Sequence, residues 1–167
     1  MQRSGITRKI DELGRIVIPK EMRYNLGIRD GDALEIYVND NSIVIKKYSN
    51  IKKINNLSSN LCELINEIFN VDIIITDRDK VISSNNRNLI NIELDNNLKK
   101  LIDNREIYIS KLKENIMNNS GYFYIYPIIT ENNSCGLIII VTDSLKEEYK
   151  KYAKIVQKLL VYQLDIA

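Results

Sequence analysis

Hydrophobic and polar positions follow three regimes along the chain. In the first, Ile6 to Ile10 and Arg15 to Ile18 read as two short strands joined across Asp11-Glu12-Leu13-Gly14. Gly14 tolerates the positive φ of a tight turn, and Ile16-Val17-Ile18 is β-branched throughout, as a half-buried strand prefers. Pro19 closes that strand and opens a helix, because its fixed φ is already helical and its missing N–H is one the first turn leaves unpaired. Met22 and Leu26 share a face of this helix, and Gly27 stops it. Asp30-Gly31-Asp32 supplies turn chemistry. Leu34, Ile36 and Val38 then alternate with Glu35, Tyr37 and Asn39, and beyond Asn39-Asp40-Asn41 a last strand carries Ile43 and Ile45 into Lys46-Lys47.

After Tyr48 the period becomes helical. Ile54, Leu57, Leu61, Leu64 and Ile68 recur at spacings of three and four, a heptad seam that predicts a connecting helix over 51–69. The last helix repeats the pattern at Leu145, Tyr149, Tyr152, Val156 and Leu159, with Gln163 interrupting before Ile166. Two such helices flanking one region predict an oligomerisation surface, formed by Ile54, Leu57, Leu61, Leu64 and Ile68 with Tyr149, Val156 and Leu159. The plainer alternative is that each helix packs on its own domain.

In between, Val71 to Asp77 is a nearly continuous apolar run, as expected of a strand covered on both faces. Arg78-Asp79-Lys80 turns the chain into Val81-Ile82-Ser83-Ser84, and a loop rich in Asn follows. Leu94, Leu98, Leu101 and Ile102 mark a helix. Ile107-Tyr108-Ile109 is a short strand; Tyr122 to Ile129 and Leu137 to Val141 are longer ones, separated by Glu131-Asn132-Asn133-Ser134-Cys135-Gly136. About five strands with helices on the faces make an α+β layout. Tyr122, Tyr124 and Tyr126 share a strand face and read as packing.

Charge sharpens this division. Residues 1–53 hold eleven Lys or Arg against seven Asp or Glu, whereas residues 54–167 hold thirteen against fifteen. A basic first third points to an anionic partner for that part alone. Arg8, Arg15 and Arg23 recur within it at spacings of seven and eight, and arginine makes paired hydrogen bonds to phosphate and guanine. Cys62 and Cys135 are far apart and the chain has no His, so a metal site is not expected and no cofactor is implied. Two lone cysteines suit a reducing cytosol, and no leader or long apolar run argues for a membrane. No catalytic constellation is visible, and acid pairs such as Glu147-Glu148 read as solvated.

The run from Arg8 to Gly27, continued through Ile28-Arg29-Asp30-Gly31-Asp32, Leu34-Glu35-Ile36-Tyr37-Val38 and Lys46-Lys47-Tyr48, resembles the AbrB-like family of bacterial transition-state regulators. That resemblance implies an all-β barrel in which two chains exchange hairpins, with Arg8, Arg15 and Arg23 on its DNA-contacting surface. The family's further arginine is replaced here by Tyr24, for which Lys9 and Arg3 are the nearby cations. Lys46 and Lys47 read either as DNA contacts or as edge-strand lysines that discourage aggregation, and Arg29 as a solvated charge. The later strand order resembles a GAF sensory domain. The whole order resembles the stage V sporulation protein T family.

The resulting expectation is a DNA-binding swapped-hairpin domain over 1–50, a helix over 51–69 and a GAF-like domain over 70–167. Together they make a cytoplasmic, nucleoid-associated regulator of sporulation or developmental genes. Its partners are double-stranded DNA, a second copy through the N-terminal domain, further copies through the helices as a homotetramer, and an unidentified small-molecule effector. An AbrB-like antitoxin is the alternative.

Overall fold

The computed structural model describes residues 5–48, 51, 54–130 and 133–166. Arg3, Ser49, Asn50, Glu131 and Asn132 lie outside the described residues. The chain forms two units, with the boundary after Tyr48.

In the first unit, α1 (Lys20–Asn25) begins directly after Pro19, and Gly27 ends it at φ 61°. The N–H of Gly27 donates to the Tyr24 carbonyl and that of Ile28 to the Arg23 carbonyl, the paired bonds that satisfy the last carbonyls of a helix. Strands β1 (Leu34–Asn39) and β2 (Ser42–Lys47) pair antiparallel across a two-residue turn, with Asp40 at φ 50°. Ile36 lies opposite Ile45 and Val38 opposite Ile43, so one face of the hairpin is apolar.

The two strands expected before α1 do not form within this chain. Residues 6–10 and 15–18 belong to no sheet. The β-branched pattern is there, but a ladder needs a partner edge, and none is supplied by the described residues of the same chain. None of residues 5–48 is buried, and Ile10, Ile16, Val17, Ile36, Val38 and Ile43 are each at least half exposed. Arg8 and its neighbours Ile6 and Ile10 are all exposed.

The second unit starts with α2 (Asn55–Phe69), β3 (Asp72–Thr76), β4 (Val81–Ser84) and α3 (Asn96–Asn104). It continues with β5 (Tyr108–Ile109), β6 (Glu114–Ile116), β7 (Asn119–Thr130), β8 (Asn133–Thr142) and α4 (Glu147–Asp165). The strands run in the order β4-β3-β8-β7-β5, and β6 also pairs with β7. Alternate residues of β8 enter two cores. Ile138 and Ile140 join Tyr124, Tyr126 and Ile73 beneath α2 and α4, while Leu137, Ile139 and Val141 join Phe123 and Ile125 beneath α3. That double burial explains why these strands read as unbroken apolar runs. The Tyr124 hydroxyl accepts from the Lys146 N–H at 2.8 Å and donates to its carbonyl at 3.1 Å, which fixes the entry to α4.

Two elements differ from the sequence reading. The stretch Asn133 to Gly136 is not loop but the start of β8. Strand β6 was not anticipated, because its hairpin turns through Met117 and Asn118 at φ 54° and 61° without a glycine to announce it.

The helical seams also resolve differently. The core-facing residues of α2 are Ser58, Leu61, Cys62 and Ile65, and those of α4 are Tyr149, Ala153, Val156 and Leu160. Of the residues expected on an oligomer seam, Ile54, Leu61, Tyr149 and Val156 are therefore spent inside their own unit, and Leu57 is half-buried against the same core. Leu64, Ile68 and Leu159 remain exposed. The heptad spacing straddles two faces because small or polar residues, Ser58 and Ala153, occupy core positions that an apolar count skips. Phe69 of α2 stacks on Tyr152 of α4 with centroids 3.9 Å apart, so the helices meet on one face of the sheet.

Candidate nucleic-acid interface

The cations expected to meet DNA sit on three local scaffolds in the first unit. The first is the loop from Asp11 to Arg15. The Asp11 N–H donates to the Arg15 carbonyl at 3.1 Å and the Gly14 N–H to the Asp11 carbonyl at 3.0 Å, with Gly14 at φ 75°. Arg15 Nε donates to Asp11 Oδ2 at 2.7 Å. The backbone N–H of Arg15, and then its side chain, hold the Asp11 carboxyl below its ordinary pKa, so this carboxylate stays charged as pH falls through the usual range. Arg15 itself is 72% exposed. Arg8 is exposed, with Nη1 donating to the Thr7 carbonyl at 3.3 Å, and Lys9 is exposed beside it.

The second scaffold is α1. Arg23 Nη1 donates to Asp30 Oδ1 at 3.0 Å, which ties the helix to the turn before β1. Tyr24, next along the helix, is 86% exposed.

The hairpin is the third. Lys46 Nζ lies 3.0 Å from Glu35 and 5.1 Å from the Tyr37 ring centroid. The Glu35 hydrogen bond raises its pKa, so it remains a cation at neutral pH. Lys47 is different. Its Nζ donates to the Gly27 carbonyl at 3.0 Å and pairs at 3.2 Å with Asp32, whose side chain is almost fully buried. These bonds fasten β2 to the end of α1 and leave Lys47 much less exposed than Lys46.

In the second unit, burial pushes the Cys62 thiol up to about 12, which makes it inert. Cys135 is half-buried in β8, its Sγ 3.4 Å from the Thr130 hydroxyl. A groove of about 410 Å³ lies between β5, β7 and the start of α4, lined by Ser110, Lys111, Tyr124, Lys146 and Lys150 among others. No cluster of His, Cys, Asp or Glu suited to a metal occurs among the described residues, and no helix there is long and apolar enough to cross a membrane.

Comparison with known proteins matches each unit to a family. Residues 7–53 fit the antidote-toxin recognition family MazE, described as a bacterial antitoxin, and residues 53–165 fit the family of stage V sporulation protein T C-terminal domains, described as a transcription factor. Stage V sporulation protein T of Bacillus subtilis is 31% identical over 150 residues, covering 84% of both chains. The transition state regulatory protein AbrB of the same organism is 39% identical over 101 residues, 60% of this chain and 97% of its own. A solution structure of AbrB's N-terminal DNA recognition domain is 61% identical over 29% of this chain and 92% of that one, with a TM-score of 0.26. A crystal structure of a methyl-accepting chemotaxis protein, residues 122 to 287, is 11% identical with a TM-score of 0.51 over 68% of this chain and 90% of that one, a likeness of fold alone.

An AbrB- and MazE-like N-terminal domain joined to a sporulation-type transcription-factor domain defines the class. The chain belongs to the stage V sporulation protein T family.

Proposed function

We propose that this protein is a DNA-binding transcription regulator of sporulation or developmental genes, whose N-terminal unit works as a swapped-hairpin dimer. The observation that supports DNA binding is that Arg8, Lys9, Arg15, Arg23 and Lys46 all reach solvent in the first unit, with Arg15 and Arg23 each paired to a carboxylate. The matching domain of AbrB is described as a DNA recognition domain. Dimerisation follows from burial. A unit of this size with no buried residue among 5–48 has too little core to stand alone, and a second copy offering the same apolar face completes it.

Phosphate contacts then dominate affinity, each adding about −0.9 to the slope of log K against log salt. Arg15→Ala is expected to weaken duplex binding at least about tenfold and to lower that slope by about 2 per dimer, since each dimer loses two contacts. Fluorescence anisotropy over a salt series checks this; wild-type binding by a dimeric variant contradicts it.

The GAF-like unit is read as the regulatory and assembly half, and its groove over β5 and β7 is the place for an effector. Ile155, Leu159, Tyr162 and Ile166 form an exposed apolar stripe along α4, flanked by exposed Lys151, Lys154 and Lys158. On α2, exposed Leu64 and Ile68 are flanked by Glu63 and Glu67. Opposite charge beside matching apolar stripes supports docking of α2 on α4 of another copy, hence a tetramer. Leu159→Lys is expected to convert tetramer to dimer in sedimentation equilibrium with the circular dichroism unchanged; a persistent tetramer refutes this assembly.

The MazE match favours a second reading, in which the N-terminal unit also binds a toxin. Copurification with the product of the adjacent gene would support it.

A further inference from the structure

We propose that Asp11 is a positioning residue for Arg15: it clamps the inner edge of the guanidinium so that the two Nη groups face the nucleic acid as a ready fork. This inference rests on the DNA-binding reading above. One carboxylate organises the whole loop. Its Oδ1 accepts the N–H of Leu13 at 3.0 Å and of Arg15 at 2.7 Å, while Oδ2 accepts Arg15 Nε at 2.7 Å. A guanidinium has five N–H groups in a rigid plane. Engaging Nε from one side fixes that plane and leaves the end-on edge, with one hydrogen from each Nη, turned away from the carboxylate, the geometry for bidentate contact with a phosphate or with guanine. Arg15 is otherwise solvent-exposed, and a free arginine would lose rotamer freedom on binding; the clamp removes part of that freedom in advance.

The sign of the effect separates this role from simple electrostatics. Asp11 is an anion beside a surface that meets a polyanion, so deleting its charge would by itself tighten binding. Positioning predicts the reverse.

Asp11→Asn provides the test. The asparagine Oδ1 can still accept the Leu13 and Arg15 N–H groups and hold the loop, whereas its amide N–H₂ faces Arg15 Nε as donor against donor. Affinity of the full-length protein for a mixed-sequence duplex would be measured for wild type, Asp11→Asn, Arg15→Ala and the double variant. The expected result is a loss of about tenfold on Asp11→Asn when Arg15 is present. With Arg15→Ala in place, the same exchange should cause no loss. Equal or tighter binding by Asp11→Asn, or an equal loss in both backgrounds, overturns the proposal. A second measurement needs neither variant nor DNA. In free wild-type protein labelled at arginine, the Arg15 Nε–H should exchange with water more slowly than that of Arg8; equal rates overturn the clamp. Absence of duplex binding by wild type would instead remove the DNA-binding reading, with the exchange result standing on its own.

Discussion

Ile36→Asp is expected to unfold the N-terminal unit and abolish dimerisation while leaving the C-terminal unit folded. In the isolated chain this side chain is 65% exposed, and a polar substitution at such a surface position ordinarily changes stability by less than about 0.5 kcal/mol. In the proposed dimer the cost is far larger. Ile36 sits opposite Ile45 and beside Val38 on the apolar face of the hairpin, the face a second copy covers in the proposed dimer. An aspartate there would be buried unpaired in the dimer, at a cost of several kcal/mol, roughly the whole stability of a small domain. Sedimentation equilibrium and thermal melting decide the matter. Loss of dimer and of the N-terminal transition is predicted; a variant indistinguishable from wild type would mean that this face stays in water.

The second large effect is in the other unit. Gly136→Ala is expected to destabilise the C-terminal domain by more than about 4 kcal/mol. A Cβ at Gly136 would fall onto the Thr76 carbonyl oxygen, with the Thr76 carbonyl carbon 2.7 Å and the Asp77 Cα 3.0 Å away. All are backbone atoms at the end of β3, so no flexible side chain can give way. The neighbouring Leu137 N–H donates to the Thr76 hydroxyl at 3.0 Å, and parting the strands would break that bond as well. Urea denaturation followed by tyrosine fluorescence measures the change. A midpoint within error of wild type would show that the two backbones do not approach so closely.

Local chemistry was the most legible part of this chain. Pro19 and Gly27 bracket α1, and Asp40 and Asn41 turn the β1–β2 hairpin. Each signal is carried by a residue whose own backbone preference decides the outcome. Legibility failed where the decision belongs to distant neighbours. Gly136 looked like a turn glycine, yet it lies within β8 because the end of β3 leaves no room for a side chain. Met117 adopts a left-handed backbone that nothing in its side chain favours, so β6 left no trace. The seams on α2 and α4 were read in the right period but divided wrongly, since Ser58, Cys62 and Ala153 carry too little apolar character to mark the core side.

The candidate site shows the same split. Arginine type and spacing could be read directly, because guanidinium chemistry is intrinsic to the residue. Which acid holds which cation could not. Asp11 read as part of a turn, and only the folded loop reveals that its carboxylate reaches Arg15. Lys47 read as equivalent to Lys46, although the two lie on opposite faces of β2 and only Lys47 meets the nearly buried Asp32.

The most direct measurement is a titration of the full-length wild-type protein into labelled duplex DNA from low to high salt, beside Arg15→Ala. Tight binding at low ionic strength that weakens linearly on a log–log plot, with a shallower line for the variant, is the predicted result. No binding at low salt, or superimposed lines, would contradict the claim that paired arginine surfaces of a dimer grip the phosphate backbone.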